Sequence, residues 1–213
     1  MSAREVIIAR HGQTELNRVG IVQGSGIDPA LNEYGEAQAR ALHEAFAGRF
    51  DLIVSSGMVR AKQTAEPFLA DAGTRYVEVP DLREICWGQY EGKAATPAMR
   101  DDYKRLMAAW EAGDYHDKHP GGESAQELAD RLAAGWREVE AEDFRQALVV
   151  THGRALRCLI SILDGEPLSA MNDYAHANAG YYHVVETADG RWDIREHNAI
   201  AHLAHLETPT PNG

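Results

Sequence analysis

Two short apolar runs, each of strand length, end abruptly at a His-Gly pair. The first run, 6–9, leads into Arg-His-Gly at 10–12, and the second, 147–150, leads into Thr-His-Gly-Arg at 151–154. Continuous apolar runs of this kind are typical of strands that are buried on both faces of a parallel sheet. Because parallel strands deliver their C-terminal residues to one edge, where ligands bind, we expect two histidines and an arginine to form a cationic pocket there. Such a pocket, with one titratable nucleophile, suits phosphoryl chemistry.

The composition narrows the classes of partner. The 213 residues carry a formal net charge of −12, which argues against nucleic acid or an anionic membrane. No window approaches the roughly 18–20 uninterrupted apolar residues of a membrane span, and the first residues lack the apolar core of a signal peptide. The two cysteines, Cys86 and Cys158, predict neither a disulfide framework nor a zinc ribbon. A cytoplasmic location is the simplest interpretation.

Strand and helix patterns alternate along the chain, which predicts an α/β fold. Strands are expected at 6–9, 51–56, 76–79 and 147–150, with a closing pair at 181–186 and 192–196. Helices are expected to follow Asn32, an N-cap, as far as Phe46, and to span 58–71 and 154–163. In the second helix, Ala61, Ala65, Phe68 and Leu69 are expected to face inward. Residues 12–31 predict a long functional loop.

One domain is predicted over residues 1–207, with a helical cap inserted at about 93–145. Within this stretch, residues 96–143 are charged and helical by pattern, interrupted at 113–122. The second cap helix is expected to begin at Ser124 or at Gly122-Glu123 and to run to about Glu142. The Pro-rich tail, 208–213, is predicted to be disordered.

An ordered set of motifs extends beyond the two His-Gly pairs. In chain order the motifs are Arg10-His11-Gly12 with Thr14 and Asn17; Gln23-Gly24 and Asp28-Pro29-Ala30-Leu31; Ser55-Ser56 with Arg60-Ala61 and Gln63-Thr64-Ala65; Leu82-Arg83-Glu84 with Gly88 and Glu91-Gly92; Pro120-Gly121-Gly122-Glu123-Ser124; and His152-Gly153. Nearly the whole chain therefore resembles the histidine phosphatase superfamily, also called phosphoglycerate mutase-like, in its phosphatase branch. The resemblance implies a three-layer α/β/α sandwich with a mostly parallel central sheet and a small helical cap.

Three residues are candidates for the chemistry. His11 is the predicted nucleophile, because neutral imidazole attacks phosphorus well near pH 7 and a phosphohistidine divides one difficult step into two. By resemblance, His152 donates to the phosphoryl group. By the same resemblance, Glu84 occupies the position of the family's general acid, which protonates the leaving oxygen and then acts as the base for water. The alternative without a catalytic role is that His11 and His152 are packed histidines at strand ends and that Glu84 is an exposed loop residue. Glu91 is the other candidate for the acid/base carboxylate.

Phosphate binding is expected from Arg10, Arg60, Asn17 and Gly153. The rigid fork of arginine suits phosphoryl oxygens, Asn17 can donate an amide N–H, and Gly153 allows close approach of the backbone. Thr14 is equally well explained by phosphate binding or by capping of the loop.

Further substrate contacts are predicted for Gln23, Gly24 and Arg154. Arg154 stands where family members often carry a second glycine, so it either reads a second anionic group or lies on the helix surface. A metal is not expected. His197, His202 and His205 match no zinc template, and they are interpreted as surface or edge residues.

Three functions remain open, with phosphate monoester hydrolysis preferred. Chains of the phosphoglycerate mutase branch carry Gly-Trp where this one has Gly24-Ser25, and an Arg-Arg-Ser-Tyr-like stretch where it has Lys-Ala-Ala-Thr-Pro at 93–97. A non-catalytic phosphate-binding or phosphoprotein-binding module would gain nothing from a carboxylate such as Glu84. The expected partner is a small phosphorylated metabolite, with no cofactor, no nucleic acid and no membrane, and homodimer formation is left open.

Overall fold

A six-stranded sheet runs through the computed structural model, which describes residues 3–207. The strands are β1 (Glu5–Arg10), β2 (Leu52–Ser55), β3 (Arg75–Glu78), β4 (Gln146–Thr151), β5 (Tyr181–Glu186) and β6 (Trp192–Ala199). They lie in the order β3-β2-β4-β1-β5-β6. Strands β1 to β4 are parallel, β5 is antiparallel to β1, and β6 is antiparallel to β5. The prediction of a mostly parallel sheet is confirmed.

Helices cover both faces of the sheet. They are α1 (Glu15–Arg18), α2 (Glu33–Phe46), α3 (Val59–Ala65), α4 (Pro97–Glu111), α5 (Ala125–Ala141) and α6 (Gly153–Leu163). Alternate residues of β1 point to opposite faces: Ile7 packs in a cluster with Leu42 of α2 and Ala61 of α3, and Ile8 packs in one with Leu132 of α5 and Leu156 of α6. This arrangement is the predicted three-layer α/β/α sandwich.

Two of the helix starts that the sequence predicts are capped by side chains. The Asn32 side chain accepts a hydrogen bond from the Gly35 N–H at the start of α2. Of the two predicted starts for the second cap helix, the structure has Ser124 as the N-cap. Ser124 and Glu127 form a reciprocal capping box there, so two otherwise unpaired amides of α5 are satisfied.

The predicted helix at 58–71 is wrong in its second half. Helix α3 ends at Ala65, and the chain continues as a 3-10 helix over Glu66–Ala70. Pro67 has no amide N–H to continue the α-helical hydrogen bonds, so the turn tightens there. The change of period turns Leu69 outward, where it is 44% exposed, and not inward as predicted. The loop at 12–31 contains one helical turn, α1, and β6 extends three residues beyond its predicted end.

The boundaries of the cap, about 93–145, stay a prediction. Helix α4 contacts the start of α6 through Tyr103, whose hydroxyl accepts a hydrogen bond from Arg154. Helix α5 instead packs beside α6 against the sheet. Within residues 3–207, every helix is too short or too polar to cross a bilayer. The tail predicted to be disordered, 208–213, lies outside the described residues.

Candidate active site

The two His-Gly pairs meet at the C-terminal edge of the sheet. Arg10 at the end of β1 is in register with Thr151 at the end of β4, so the next residue of each strand, a histidine, emerges at the same level. The imidazole centroids of His11 and His152 lie 5.2 Å apart. The predicted juxtaposition of the two histidines at one sheet edge is therefore present in the structure.

The tautomer of His11 is fixed by its neighbour. Its Nδ1 lies 2.7 Å from the Gly12 carbonyl oxygen, and a carbonyl can only accept, so Nδ1 carries the proton. The other nitrogen, Nε2, then holds a lone pair. Burial, followed by the charges of Arg10 and Arg60, lowers the pKa of His11 well below 6.5. The imidazole is therefore neutral near pH 7, as a nucleophile must be.

His152 is held in the opposite tautomer. Arg60 donates from Nε to His152 Nδ1 at 3.2 Å, which places the imidazole proton on Nε2. The Nε2–H group faces the Ser56 hydroxyl oxygen at 2.7 Å. Burial and the Arg60 charge lower the pKa of His152 well below 6.5. The same pocket therefore contains a lone pair on His11 Nε2 and an N–H group at His152 Nε2.

Two arginines give this edge its positive charge. Arg60 is fully buried, donates to the Gly24 carbonyl at 3.2 Å and lies 3.3 Å from Asp28. Arg10 donates to the His176 carbonyl at 2.8 Å, and its Nε is buried without a hydrogen-bond partner among the described residues. Burial lowers the pKa of Arg10 to about 10, so the guanidinium stays charged near pH 7 while lacking a counter-ion of its own.

Two glycines allow the backbone to pass close to these groups. A Cβ on Gly12 would lie 2.5 Å from the Gly35 carbonyl oxygen, and a Cβ on Gly153 would lie 2.8 Å from the His176 ring and 3.4 Å from Arg10 Nε. Neither position has room for a side chain, since real Cβ atoms essentially never approach other atoms so closely. Gly153 thus keeps the start of α6 against the Arg10 guanidinium.

Glu84 lies at the start of α6 with its carboxylate buried. It accepts hydrogen bonds from the backbone N–H groups of Arg154 at 3.1 Å and Ala155 at 3.0 Å, and from its neighbour Ile85 at 3.0 Å. The exposed-loop interpretation of Glu84 is therefore excluded. The rival, Glu91, bonds the Trp87 N–H instead.

The Thr14 region is organised mainly by capping. The Thr14 hydroxyl accepts from the Asn17 N–H and forms the capping box of α1 with the Asn17 side chain. The same hydroxyl donates to Gln23 Oε1 at 2.9 Å. Asn17 Oδ1 accepts from Thr14 N–H and from the Asn178 amide, so the NH₂ group is the part of the Asn17 side chain that remains as a donor. Of its two predicted roles, the structure shows the capping role for Thr14.

Arg154 is only 6% exposed, so its placement on the helix surface is wrong. Its guanidinium donates to Asn172 Oδ1 at 2.7 Å and to the Tyr103 hydroxyl at 2.5 Å. It also lies 5.9 Å from the Trp87 ring centroid and 5.8 Å from that of Trp110. All of these partners are neutral, and they tie α6 to α4. A role in binding substrate stays a prediction.

Three residues of the site were missed by sequence reasoning: Ser56, His176 and Asn178. Ser56 bonds His152, as described above, and Asn178 donates to the His11 carbonyl at 3.1 Å. The His176 carbonyl accepts a hydrogen bond from Arg10, and its Nδ1 accepts one from Arg157. A signal existed in the topology, because the antiparallel β5 begins at the edge where the parallel strands end, with Tyr181 opposite Ala9. The polar segment before β5 must therefore lie in the site.

Metal-ligating side chains do not converge here. Within residues 3–207, no group of three or more His, Cys, Asp or Glu side chains is arranged to hold a metal ion. Of the C-terminal histidines, His202 bonds the Ala179 carbonyl and His197 packs against Tyr182.

The sandwich fold and the paired histidines at its sheet edge define a class, the histidine phosphatase-like proteins. The sequence profile of the histidine phosphatase superfamily (branch 1) matches residues 6–200, and the chain belongs to this family. The resemblance read from the motifs is thereby confirmed.

Similar proteins carry more than one activity in their names. The metal-independent phosphoserine phosphatase of Arabidopsis thaliana is 30% identical over 209 residues, which are 95% of this chain and 84% of the relative. "Probable phosphoglycerate mutase GpmB" of Salmonella choleraesuis is 33% identical over 206 residues, 93% of this chain and 94% of the relative. Among solved structures, a mycobacterial glucosyl-3-phosphoglycerate phosphatase superposes with a TM-score of 0.79 at 27% identity, covering 93% of this chain and 100% of that one.

Proposed function

We propose that this protein is a metal-independent phosphatase that hydrolyses a phosphate monoester through a phosphohistidine on His11. The observation that carries the proposal is the tautomer of His11: a buried, neutral imidazole whose Nδ1–H is held by Gly12, leaving the Nε2 lone pair free to attack. Family membership supports the same chemistry.

The phosphoryl group would be held by Arg10, Arg60, Asn17 and the Gly153 backbone. In phosphoryl transfer, negative charge is spread over the equatorial oxygens, and the protein acts mainly by positioning and by matching that charge. The Arg10 guanidinium has a free buried Nε, and the Asn17 NH₂ group would donate to another phosphoryl oxygen. His152 would redirect its Nε2–H from Ser56 to a phosphoryl oxygen. The two arginines thereby supply the positive charge that a metal supplies elsewhere, and His152 adds a neutral hydrogen-bond donor.

Glu84 would move the protons. In the first step Glu84 starts in its protonated form: the His11 Nε2–P bond forms, the P–O bond breaks, and the Glu84 carboxyl proton passes to the leaving oxygen. In the second step a water molecule gives a proton to the Glu84 carboxylate and attacks phosphorus. The P–N bond then breaks, releasing orthophosphate and neutral His11. The His11 Nδ1–H stays bonded to Gly12 throughout, so no further base is needed.

The substrate would be a small phosphorylated metabolite and the location the cytoplasm. The acidic charge of the chain disfavours polyanionic partners, and the names of the relatives point to small phosphate esters. All residues invoked belong to one chain, so the proposal requires no partner subunit.

Hydrolysis of p-nitrophenyl phosphate with and without EDTA tests the proposal. We expect turnover that persists in the chelator and is lost in His11→Ala, while His116→Ala, an exposed histidine, retains it. Activity that EDTA abolishes, or that survives in His11→Ala, would contradict the proposed mechanism. Phosphate binding without turnover would instead indicate a binding module.

The mutase alternative rests on the similarity to the GpmB protein. It is tested by supplying 3-phosphoglycerate and following both products. If 2-phosphoglycerate forms faster than orthophosphate is released, the chain is a mutase. The hydrolase proposal expects the reverse order of rates.

A further inference from the structure

An aromatic cavity of about 510 Å³ is lined by residues of helix α4 and of the loops around Gln23 and Trp87. Its walls include Gln23, Trp87, Tyr90, Met99, Tyr103 and His119. The volume is within the range of small-molecule sites, which run from roughly 300 to 1,000 Å³. The chemistry proposed above does not use this cavity.

Contacts connect this cavity to the acid/base carboxylate. Tyr103 and Trp87, on one wall, contact the Arg154 guanidinium, and the Arg154 backbone N–H is bonded to Glu84. On another wall, Gln23 Oε1 accepts from the Thr14 hydroxyl. These contacts link the cavity to Glu84, the group that would protonate the leaving oxygen, so the cavity is the candidate site for the group attached to that oxygen.

The charge of the lining selects against an ammonium group. Of the described residues, no Asp or Glu lines the cavity, whereas Arg100 and Lys104 do. Two carboxylates lie behind the lining and are already paired: Asp102 by the Tyr90 hydroxyl, Arg105 and His119, and Glu91 by the Trp87 N–H. A substrate such as phosphoserine, with its charged amino group, would find no counter-ion in this lining.

The wall suits a flat apolar group. The Trp87 ring of this wall is stacked on the buried Trp110 with the ring planes 21° apart, and Tyr103 meets Trp87 edge-on at 5.6 Å between centroids. Arg154 contacts both tryptophans and holds this wall in place before any ligand binds. Aromatic walls of this kind favour offset or edge-to-face contact with another ring, and a pre-formed wall loses little entropy on binding.

A polar group of the Gln23 side chain lacks a partner. Gln23 Nε2 is buried and has no hydrogen-bond partner among the described residues, although the Oε1 atom of the same amide is bonded. An unpaired buried amide is costly and is a natural donor to a ligand acceptor. The ligand is therefore expected to carry at least one acceptor atom near the phosphate ester.

We propose that the physiological substrate is a phosphate monoester whose leaving group is a large aromatic or heteroaromatic alcohol, with its ring system in the cavity. This inference rests on the proposed phosphatase function and deepens it by naming the class of substrate. Phosphoserine and other small, amino-bearing esters are then poor substrates.

Matched alkyl esters test the proposal. Ethyl phosphate and 2-phenylethyl phosphate both release a primary alcohol, so they differ chiefly by the ring. Burying a phenyl group should raise kcat/KM by roughly 10- to 100-fold for 2-phenylethyl phosphate. Equal values of kcat/KM for the two esters, or a preference for phosphoserine over 2-phenylethyl phosphate, would overturn it.

A paired substitution locates the effect. Ala95 lines the cavity, and Ala95→Trp should fill it and bring the ratio of the two kcat/KM values close to one. Ala98 lies three residues further on, exposed on α4, and Ala98→Trp should leave the ratio unchanged. A ratio that Ala95→Trp does not alter would place the ring elsewhere and contradict the proposal.

Binding of phosphonates tests the cavity proposal independently of the proposed phosphatase activity. Calorimetry compares ethylphosphonate with 2-phenylethylphosphonate, neither of which is hydrolysed. Tighter binding of the aromatic phosphonate supports the cavity even if the chain hydrolyses neither ester, in which case only the phosphatase proposal fails. Equal binding, or no binding of either, overturns the cavity proposal whatever the hydrolysis assays give.

Discussion

At the residue scale, the site depends on histidines that are kept neutral by burial. His11 and His152 share one pocket with two guanidinium groups, and both burial and those charges lower the pKa of each imidazole. The carbonyl of Gly12 and the Nε–H of Arg60 then assign opposite tautomers to the two rings. One hydrogen bond to each ring thus makes His11 the nucleophile and His152 the hydrogen-bond donor.

This neutrality predicts a loss of stability in mild acid. In the unfolded chain a histidine has a pKa near 6.5, so below that pH the unfolded state binds protons that the folded state does not, and the free energy of unfolding falls. Between pH 7.5 and 5.5 the fully buried His152 should account for about 1 kcal/mol of this fall. Urea unfolding in phosphate-free buffer should therefore show a shallower pH dependence for His152→Asn than for the native chain. Identical slopes would mean that His152 is protonated in the folded state.

At the element scale, Glu84 replaces the missing cap of α6. The N-cap residue of this helix, His152, makes no capping hydrogen bond with its side chain. The Glu84 carboxylate comes from a distant loop and accepts the first amides of the helix. A helix N-terminus favours the carboxylate form that the second step requires, and the same hydrogen bonds hold the residue proposed for proton transfer in place.

Two substitutions at Glu84 should separate these roles. Glu84→Ala leaves buried amides unpaired and should lower the free energy of unfolding by about 1–3 kcal/mol. Glu84→Gln keeps an acceptor oxygen and should lower it less. Both variants should hydrolyse ethyl phosphate roughly 100- to 10,000-fold more slowly, with orthophosphate binding retained in Glu84→Gln. A Gln variant with native turnover would show that Glu84 is only a cap.

At the scale of the whole molecule, the site joins strands that are far apart in the chain. His11, Ser56 and His152 follow β1, β2 and β4, and all three contribute to one pocket. An anion bound there contacts several parts of the sandwich at once. The positive pocket also contrasts with the net charge of −12 for the chain, so its attraction for phosphate is a local property.

Orthophosphate should therefore stabilise the folded molecule. A ligand present at one hundred times its Kd adds about 2.7 kcal/mol to the free energy of unfolding. We expect thermal unfolding to move upward with phosphate in the native chain and in Arg40→Ala, a surface variant on α2. The shift should be lost in Arg60→Ala, with folding of that variant checked by circular dichroism. A phosphate shift that persists in Arg60→Ala would place the anion elsewhere.

The sequence was sufficient to predict which strand ends meet at the edge of the sheet. It was not sufficient to predict the side chains that reach this edge from later parts of the chain. The runs ending at His11 and His152 predicted neighbouring strands, because parallel topology decides where strand ends meet. The neutral surroundings of Arg154 could not be predicted, since Tyr103 and Asn172 reach it only through the packing of α4 and of the segment before β5. Thr14 left two roles open because capping and phosphate binding use the same hydroxyl. Leu69 was misplaced because a proline changed the helical period.

The central claim is tested most directly by trapping the phosphoenzyme. Rapid acid-free quenching of the chain during turnover of a labelled phosphate ester, followed by proteolysis and mass spectrometry, should find one phosphoryl group on the peptide that contains His11. The group should be labile in acid and stable in base, and it should be absent from His11→Ala. An acid-stable phosphoserine, an aspartyl phosphate, or a phosphohistidine at His152 would contradict the mechanism.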